Sequence, residues 1–205
     1  MSPKELKVYG DSRSGNCYKI RLLCSELSLD YDWQEVDILA GETRTPQFLE
    51  MNPNGRIPLL ELPDGRFLPE SNAILYYLAD GSELFHGDSY ARAEILQWMF
   101  FEQYSHEPYI ATSRFLVKYL GDLPEHQEKI AEKRAAGYNA LDIMEQQLGR
   151  QPFMSGTYFN IADIALYAYT HVADEGGFEL HRYKNIGAWM QRICERPNYV
   201  PMASQ

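Results

Sequence analysis

The chain has 205 residues, enough for one large domain or two small ones. Nineteen Lys and Arg against 29 Asp and Glu leave a formal charge of −10, and the basic residues form no run, which excludes an electrostatic grip on a nucleic-acid backbone or an anionic membrane. No apolar stretch approaches the ~20 residues of a membrane span, the start lacks a leader-like apolar segment, and the three cysteines share no metal or CxxC spacing, so a reduced, cytoplasmic, globular protein is expected.

In chain order, Leu6-Lys7-Val8-Tyr9 reads as a short strand closed by the turn-forming Gly10-Asp11-Ser12. Helical spacing follows, with Cys17, Ile20, Leu23, Cys24 and Leu27 on one stripe. Residues 31–38 contain a second strand, with Trp33 and Val36 as its apolar members. Thr45-Pro46 opens a short helix, because proline is tolerated in a first turn where its missing N–H has no partner to lose, and Pro53 closes it. Residues 57–62 form a third strand, and Pro63-Asp64-Gly65 turns the chain into a fourth at Arg66-Phe67-Leu68. Ser71 precedes an apolar helix over residues 73–78. The order βαβ, α, ββα implies a small mixed sheet flanked by helices.

Beyond Gly81 the pattern is helical throughout. Asp88 is placed to cap a helix that runs through residues 90–120, apolar on nearly every side over residues 95–101 and interrupted by Pro108. A helix of that kind is expected to be covered by its own domain and by another surface. Gly121-Asp122-Leu123-Pro124 ends it, and a second long helix carries Ala131, Ala135, Tyr138, Leu141, Met144 and Leu148. Asn160 with Asp163 three residues later forms a capping-box variant before a buried helix, and Trp189, Met190 and Ile193 mark a last helix stopped by Pro197.

Four stretches together resemble the cytosolic glutathione S-transferases: Ser14-Gly15-Asn16-Cys17-Tyr18-Lys19, Asn52-Pro53-Asn54-Gly55-Arg56-Ile57-Pro58, Pro69-Glu70-Ser71-Asn72-Ala73-Ile74 and Asn160-Ile161-Ala162-Asp163. The segment 41–49 is similar to that of the serine-type classes (theta- or phi-like, or bacterial nu-like). The resemblance implies an α/β plus all-α fold, with a thioredoxin-like glutathione-binding domain over residues 1–81 and an all-helical domain over 87–205. It also implies a homodimer acting on small hydrophobic electrophiles, with glutathione as co-substrate and no metal.

By the same resemblance, Ser14 is expected to stabilise the glutathione thiolate, with Asn16 as auxiliary. A thiol of pKa ~8.5 is only about 3% ionised at pH 7, so a donor and a helix N-terminus at the sulfur are both required. Ser12 is the second choice, Cys17 reads as a small buried hydrophobe, and Tyr9 reads as core. Ile57 before a cis Pro58 would face the cysteinyl part. Glu70 and Ser71 suit the γ-glutamyl ammonium and carboxylate, and Arg44 and Arg56 the glycyl carboxylate, although Thr43 stands where the serine-type pattern has His. Tyr104, Tyr109 and Arg114 are expected at the acceptor-substrate pocket. Disulfide or peroxide reduction, thiolate-dependent isomerase or dehalogenase chemistry, and a non-catalytic interaction module are the alternatives.

Overall fold

The structure, a computed structural model, describes residues 6–121 and 123–202. The first five residues, which bear on the leader-segment expectation, and Asp122 of the expected helix break lie outside the described residues. The chain divides into two compact units, residues 1–82 with 198–205, and residues 83–197.

The first unit holds β1 (Leu6–Gly10), α1 (Gly15–Glu26), β2 (Tyr31–Glu35), α2 (Pro46–Met51), β3 (Leu59–Glu61), β4 (Phe67–Pro69) and α3 (Ser71–Ala79). The sheet order is β2-β1-β3-β4, with β1 parallel to β2 and β3 antiparallel to both β1 and β4. This is the thioredoxin-like arrangement that was expected. Alternation along the strands separates two faces. Leu59 packs with Phe48 of α2 and Val36, with Tyr9 against the same cluster. Val8 and Leu60 point the other way and are fully buried. That second face carries α1, since a Cβ on Gly10 would meet the Cys17 sulfur at 3.1 Å, and α1 packs on α3.

The strands are shorter than the apolar runs suggest. The Ile57–Pro58 peptide is cis and proline has no N–H to donate, so the β3 ladder begins at Leu59. Val36 lies just past β2, buried, with its N–H on the Gly10 carbonyl at 2.8 Å. Ser71 is the first residue of α3 rather than the residue before it, and α2 ends at Met51, before Pro53.

The second unit holds α4 (Ser89–Phe101), α5 (Glu107–Arg114), α6 (Gln127–Leu148), α7 (Ile161–Thr170) and α8 (Lys184–Cys194). Asp88 caps α4 as expected, accepting from the amides of Tyr90 and Ala91 at 3.0 and 2.9 Å. The expected kink at Pro108 takes the form of a π-helical turn at Glu102–His106, where the Glu107 amide bonds the Glu102 carbonyl five residues back. The ladder thus widens immediately before the residue that has no N–H to give. A second such turn follows at Phe115–Tyr119.

Along α6 the buried stripe is Ile130, Gly137, Ala140, Leu141, Met144 and Leu148, whereas Ala131 and Ala135 are exposed. The Asn160–Asp163 capping box opens α7, all ten of whose residues are buried. Asp163 is also the pin of this unit. Its carboxylate accepts from the Met154 amide at 2.8 Å, the Asn160 amide at 3.0 Å and the Trp189 indole at 2.9 Å. Burial pushes its carboxyl up to about 6 against the opposing pull of those three donors. In α4, Ile95, Trp98 and Met99 are buried, but Gln97 and Phe100 are open to solvent, so the segment 95–101 is not covered all round within this unit.

Candidate functional site

The register of the sheet gathers the loops of the first unit at one end. Gly10 at the end of β1 pairs with Glu35 at the end of β2, Tyr9 pairs with Leu59 at the start of β3, and Leu59 pairs with Pro69 at the end of β4. The turn 11–14, the segment after β2 that leads to Arg44, the cis Ile57–Pro58 pair and the Glu70–Ser71 junction therefore all leave the sheet at the same edge. In an open α/β sheet the loops beyond the strand ends are where ligands are held.

Ser14 caps α1, its hydroxyl oxygen accepting from the Cys17 amide at 3.4 Å. A serine hydroxyl that accepts through its oxygen still has a proton to donate, and the helix N-terminus beside it adds positive potential. Ser14 is held there by a salt cluster. The Asp11 carboxylate, fully buried, binds Arg13 through its Nε at 2.8 Å and Nη2 at 2.6 Å, Arg13 reaches on to Asp37 at 2.7 Å, and the Ser14 amide donates to the Asp11 carbonyl at 2.9 Å.

The competitors of Ser14 are committed elsewhere. The Ser12 hydroxyl and amide both donate to Glu35, at 3.1 and 2.8 Å. The Tyr9 hydroxyl donates to Glu61 at 2.8 Å, and burial together with that carboxylate pushes it up to about 12. Cys17 is fully buried, and burial pushes its thiol up to about 12 against the pull of the Ser14 hydroxyl, so it is a poor nucleophile.

At the β4–α3 junction Glu70 is an exposed non-glycine residue with φ 73 and ψ 113. Such a backbone costs of order 1–3 kcal/mol and persists only where its surroundings fix it. Glu70 occupies the N-cap position of α3, and its side chain makes no cap hydrogen bond to the first amides of that helix. The Ser71 hydroxyl donates to the Asn16 side-chain oxygen at 3.2 Å, joining the first turns of α1 and α3. Beneath it sits Lys19, which no reading of the motif singled out. Its Nζ donates to the Ser71 hydroxyl at 3.2 Å and to the Asn72 side-chain oxygen at 3.3 Å. The available signal was a lysine set inside the buried run Cys17, Tyr18, Ile20.

Arg44 is exposed and lies along the 52–56 loop, donating to the Asn54 carbonyl at 3.3 Å. Gly55 makes this approach possible: it has φ +59, and a Cβ there would meet the Arg44 Nη1 at 2.6 Å and the Thr43 carbonyl at 2.9 Å. Arg56 is exposed, while Thr43 is turned inward. This end of the unit thus offers hydroxyls at two helix N-termini, with exposed guanidinium groups at the other side of the cis-proline loop. That set suits an extended anion with more than one carboxylate.

Among the residues expected in the helical unit, Tyr104 is 82% exposed and Tyr109 is half-buried with the Lys133 ammonium over its ring. Arg114 is buried and its guanidinium is bound to Glu175, which Lys118 also engages at 2.6 Å. It is an internal ion pair of the helical unit rather than an open pocket wall.

Residues 13–80 match the family model for the glutathione S-transferase N-terminal domain, and residues 94–197 that for the C-terminal domain. The chain is 30% identical over 190 residues to the disulfide-bond oxidoreductase YfcG of Escherichia coli, with 89% of this chain and 87% of that protein covered. It is 31% identical over 207 residues to glutathione S-transferase 3 of Zea mays, covering 95% and 91%. Among solved structures, a glutathione S-transferase from Pseudomonas fluorescens is similar at a TM-score of 0.96 and 58% identity, over 97% of this chain and 99% of that one. A glutathione transferase from Burkholderia graminis, with two glutathione molecules bound per subunit, is similar at 0.84 and 28% identity, over 96% and 86%.

Proposed function

The chain belongs to the glutathione S-transferase family, and we propose that it binds glutathione along the loop end of its sheet, with Ser14 as the hydrogen-bond donor to the sulfur. Its activity is glutathione transfer, the sulfur bonding to an electrophilic carbon as the bond from that carbon to its leaving group breaks. The observation that carries the site assignment is the register: one sheet edge holds Ser14, the cis Ile57–Pro58 pair and Ser71.

The chemistry follows from what the sulfur needs. A hydrogen bond to a charged group is worth about 1.5–3 kcal/mol, which is about one to two pKa units. Donated by Ser14 into the field of the α1 N-terminus, it makes thiolate a large fraction at neutral pH. Asn16 assists from the next turn. The Ile57 backbone pairs with the cysteinyl peptide, and Ser71 at the α3 N-terminus takes the γ-glutamyl carboxylate while Glu70 takes its ammonium. Arg44 and Arg56 receive the glycyl carboxylate, and Ser14 at the sulfur would make this a serine-type site. Tyr104 and Tyr109 are the side chains assigned to a small hydrophobic electrophile, and Arg114 is tied to Glu175 in the same helical unit. The buried free thiols Cys17 and Cys24 fit a reducing compartment such as the cytoplasm.

A second copy completes the account. Tyr90 and Phe100 are 71% and 69% exposed on α4, large apolar rings suited to a two-fold partner. A second reading, glutathione-dependent disulfide reduction, is favoured by the likeness to the disulfide-bond oxidoreductase. Both are tested together. Glutathione-dependent consumption of an aryl halide supports transfer, and glutathione-dependent reduction of a mixed disulfide supports the second reading. Retention on immobilised glutathione with neither activity contradicts both.

A further inference from the structure

We propose that Lys19 is a positioning residue for glutathione: held beneath the N-terminus of α3, it orients the Ser71 hydroxyl as a donor toward the γ-glutamyl carboxylate. This rests on the assignment of Ser71 to that carboxylate.

Lysine is almost never fully buried, yet Lys19 has 0% exposure. Its ammonium only donates, so Ser71 Oγ at 3.2 Å and Asn72 Oδ1 at 3.3 Å are both acceptors toward it. A serine hydroxyl carries one proton. With a lone pair turned to Lys19, that proton must point away from the lysine, and here it goes to Asn16 Oδ1 at 3.2 Å. A carboxylate is a stronger acceptor than an amide oxygen, because the bond to it is charge-assisted. A carboxylate arriving at the first turn of α3 therefore takes the Ser71 hydrogen bond from Asn16, meeting a hydroxyl whose proton the lysine already turns away from itself. The lysine charge, one hydroxyl away, adds to the positive end of the α3 dipole and favours the anion further. The same hydroxyl touches Asn16, two residues beyond Ser14, so the arrangement ties the γ-glutamyl end of the site to its thiol end.

Lys19→Met keeps the length of the side chain and removes both charge and donor. Calorimetric titration of the full chain with glutathione, and with the analogue whose γ-glutamyl residue is replaced by γ-aminobutyrate, separates orientation from general damage. The glutathione Kd is expected to rise about tenfold or more in Lys19→Met, while the Kd of the analogue, which lacks that carboxylate, changes less than about twofold. In a Ser71→Ala background the Lys19→Met change should add little, because the lysine acts through the hydroxyl. Lys19→Gln gives the same comparison if the methionine variant does not fold. Equal losses for both ligands overturn the proposal in favour of a purely structural lysine. Wild-type glutathione affinity in Lys19→Met with weakened binding in Ser71→Ala overturns it and leaves the Ser71 assignment intact. Wild-type affinity in both variants overturns the two together.

Discussion

The Ser71 hydroxyl donates to the Asn16 side-chain oxygen across 3.2 Å, although 55 residues separate them. Through this bond the first turns of α1 and α3 meet, and the positive ends of two helices are brought to one edge of the sheet. A dicarboxylate with a thiol between its charges can then be held by one helix end while its sulfur faces the other.

Separate ends of the site should fail separately. Ser71→Ala or Glu70→Ala is expected to weaken glutathione binding by about 1–3 kcal/mol, the cost of leaving one end of a charged ligand without its partner. The thiol pKa of the bound ligand should move less than it does in Ser14→Ala. Calorimetry giving wild-type affinity for both variants would contradict the assignment of the γ-glutamyl end.

The salt cluster under Ser14 predicts an acid limb in the stability curve. Burial pushes the Asp11 carboxyl up, but the hydrogen bonds and charge of Arg13 and the Ile38 amide pull harder and hold it below its ordinary 3.8. A carboxyl depressed in the folded chain stabilises fully above its unfolded pKa and loses that contribution as the pH falls through the folded value. Denaturant unfolding between pH 7 and 2.5 should show the loss below about pH 4. Asp11→Asn should be less stable by about 1–3 kcal/mol at pH 7 and flatter on the acid side. A variant as steep as the wild type in acid would remove Asp11 from the explanation.

Tyr90 and Phe100 are the side chains on which the assembly proposal stands. Phe100→Asp places a charge at an exposed position of α4 and leaves the buried Ile95, Trp98 and Met99 unchanged. Light scattering should give twice the chain mass for the wild type at micromolar concentration and the single-chain mass for the variant. A wild-type protein that scatters as one chain refutes the homodimer.

Much of this was readable from residue types. Gly10-Asp11-Ser12, Ile57-Pro58 and Pro69-Glu70-Ser71 punctuate the strand ends, and strand ends are where the sheet register later gathers the site. Asn160 and Asp163 declared their capping box because both partners lie within four residues. What stayed hidden depended on long-range packing. Nothing in the side chain of Lys19 marks it as buried, since its acceptors Ser71 and Asn72 come from another helix. Along α6 Leu141, Met144 and Leu148 are buried as expected, while Ala131 and Ala135, small enough for either face and carrying little periodic signal, are exposed. A lone Pro108 signalled an interrupted helix but not a π-turn, which is set by where the Glu107 amide finds a carbonyl. The expected cover over residues 95–101 is incomplete within the helical unit, where Gln97 and Phe100 are open to solvent.

The most direct test of the Ser14 assignment is thiolate absorbance against pH in protein saturated with glutathione. The wild-type chain should ionise the bound thiol about one to two pH units below the free value of ~8.5, and Ser14→Ala should return it most of the way while still binding glutathione. The same bound pKa in both proteins would contradict the account and move the role to Asn16 or the α1 N-terminus alone.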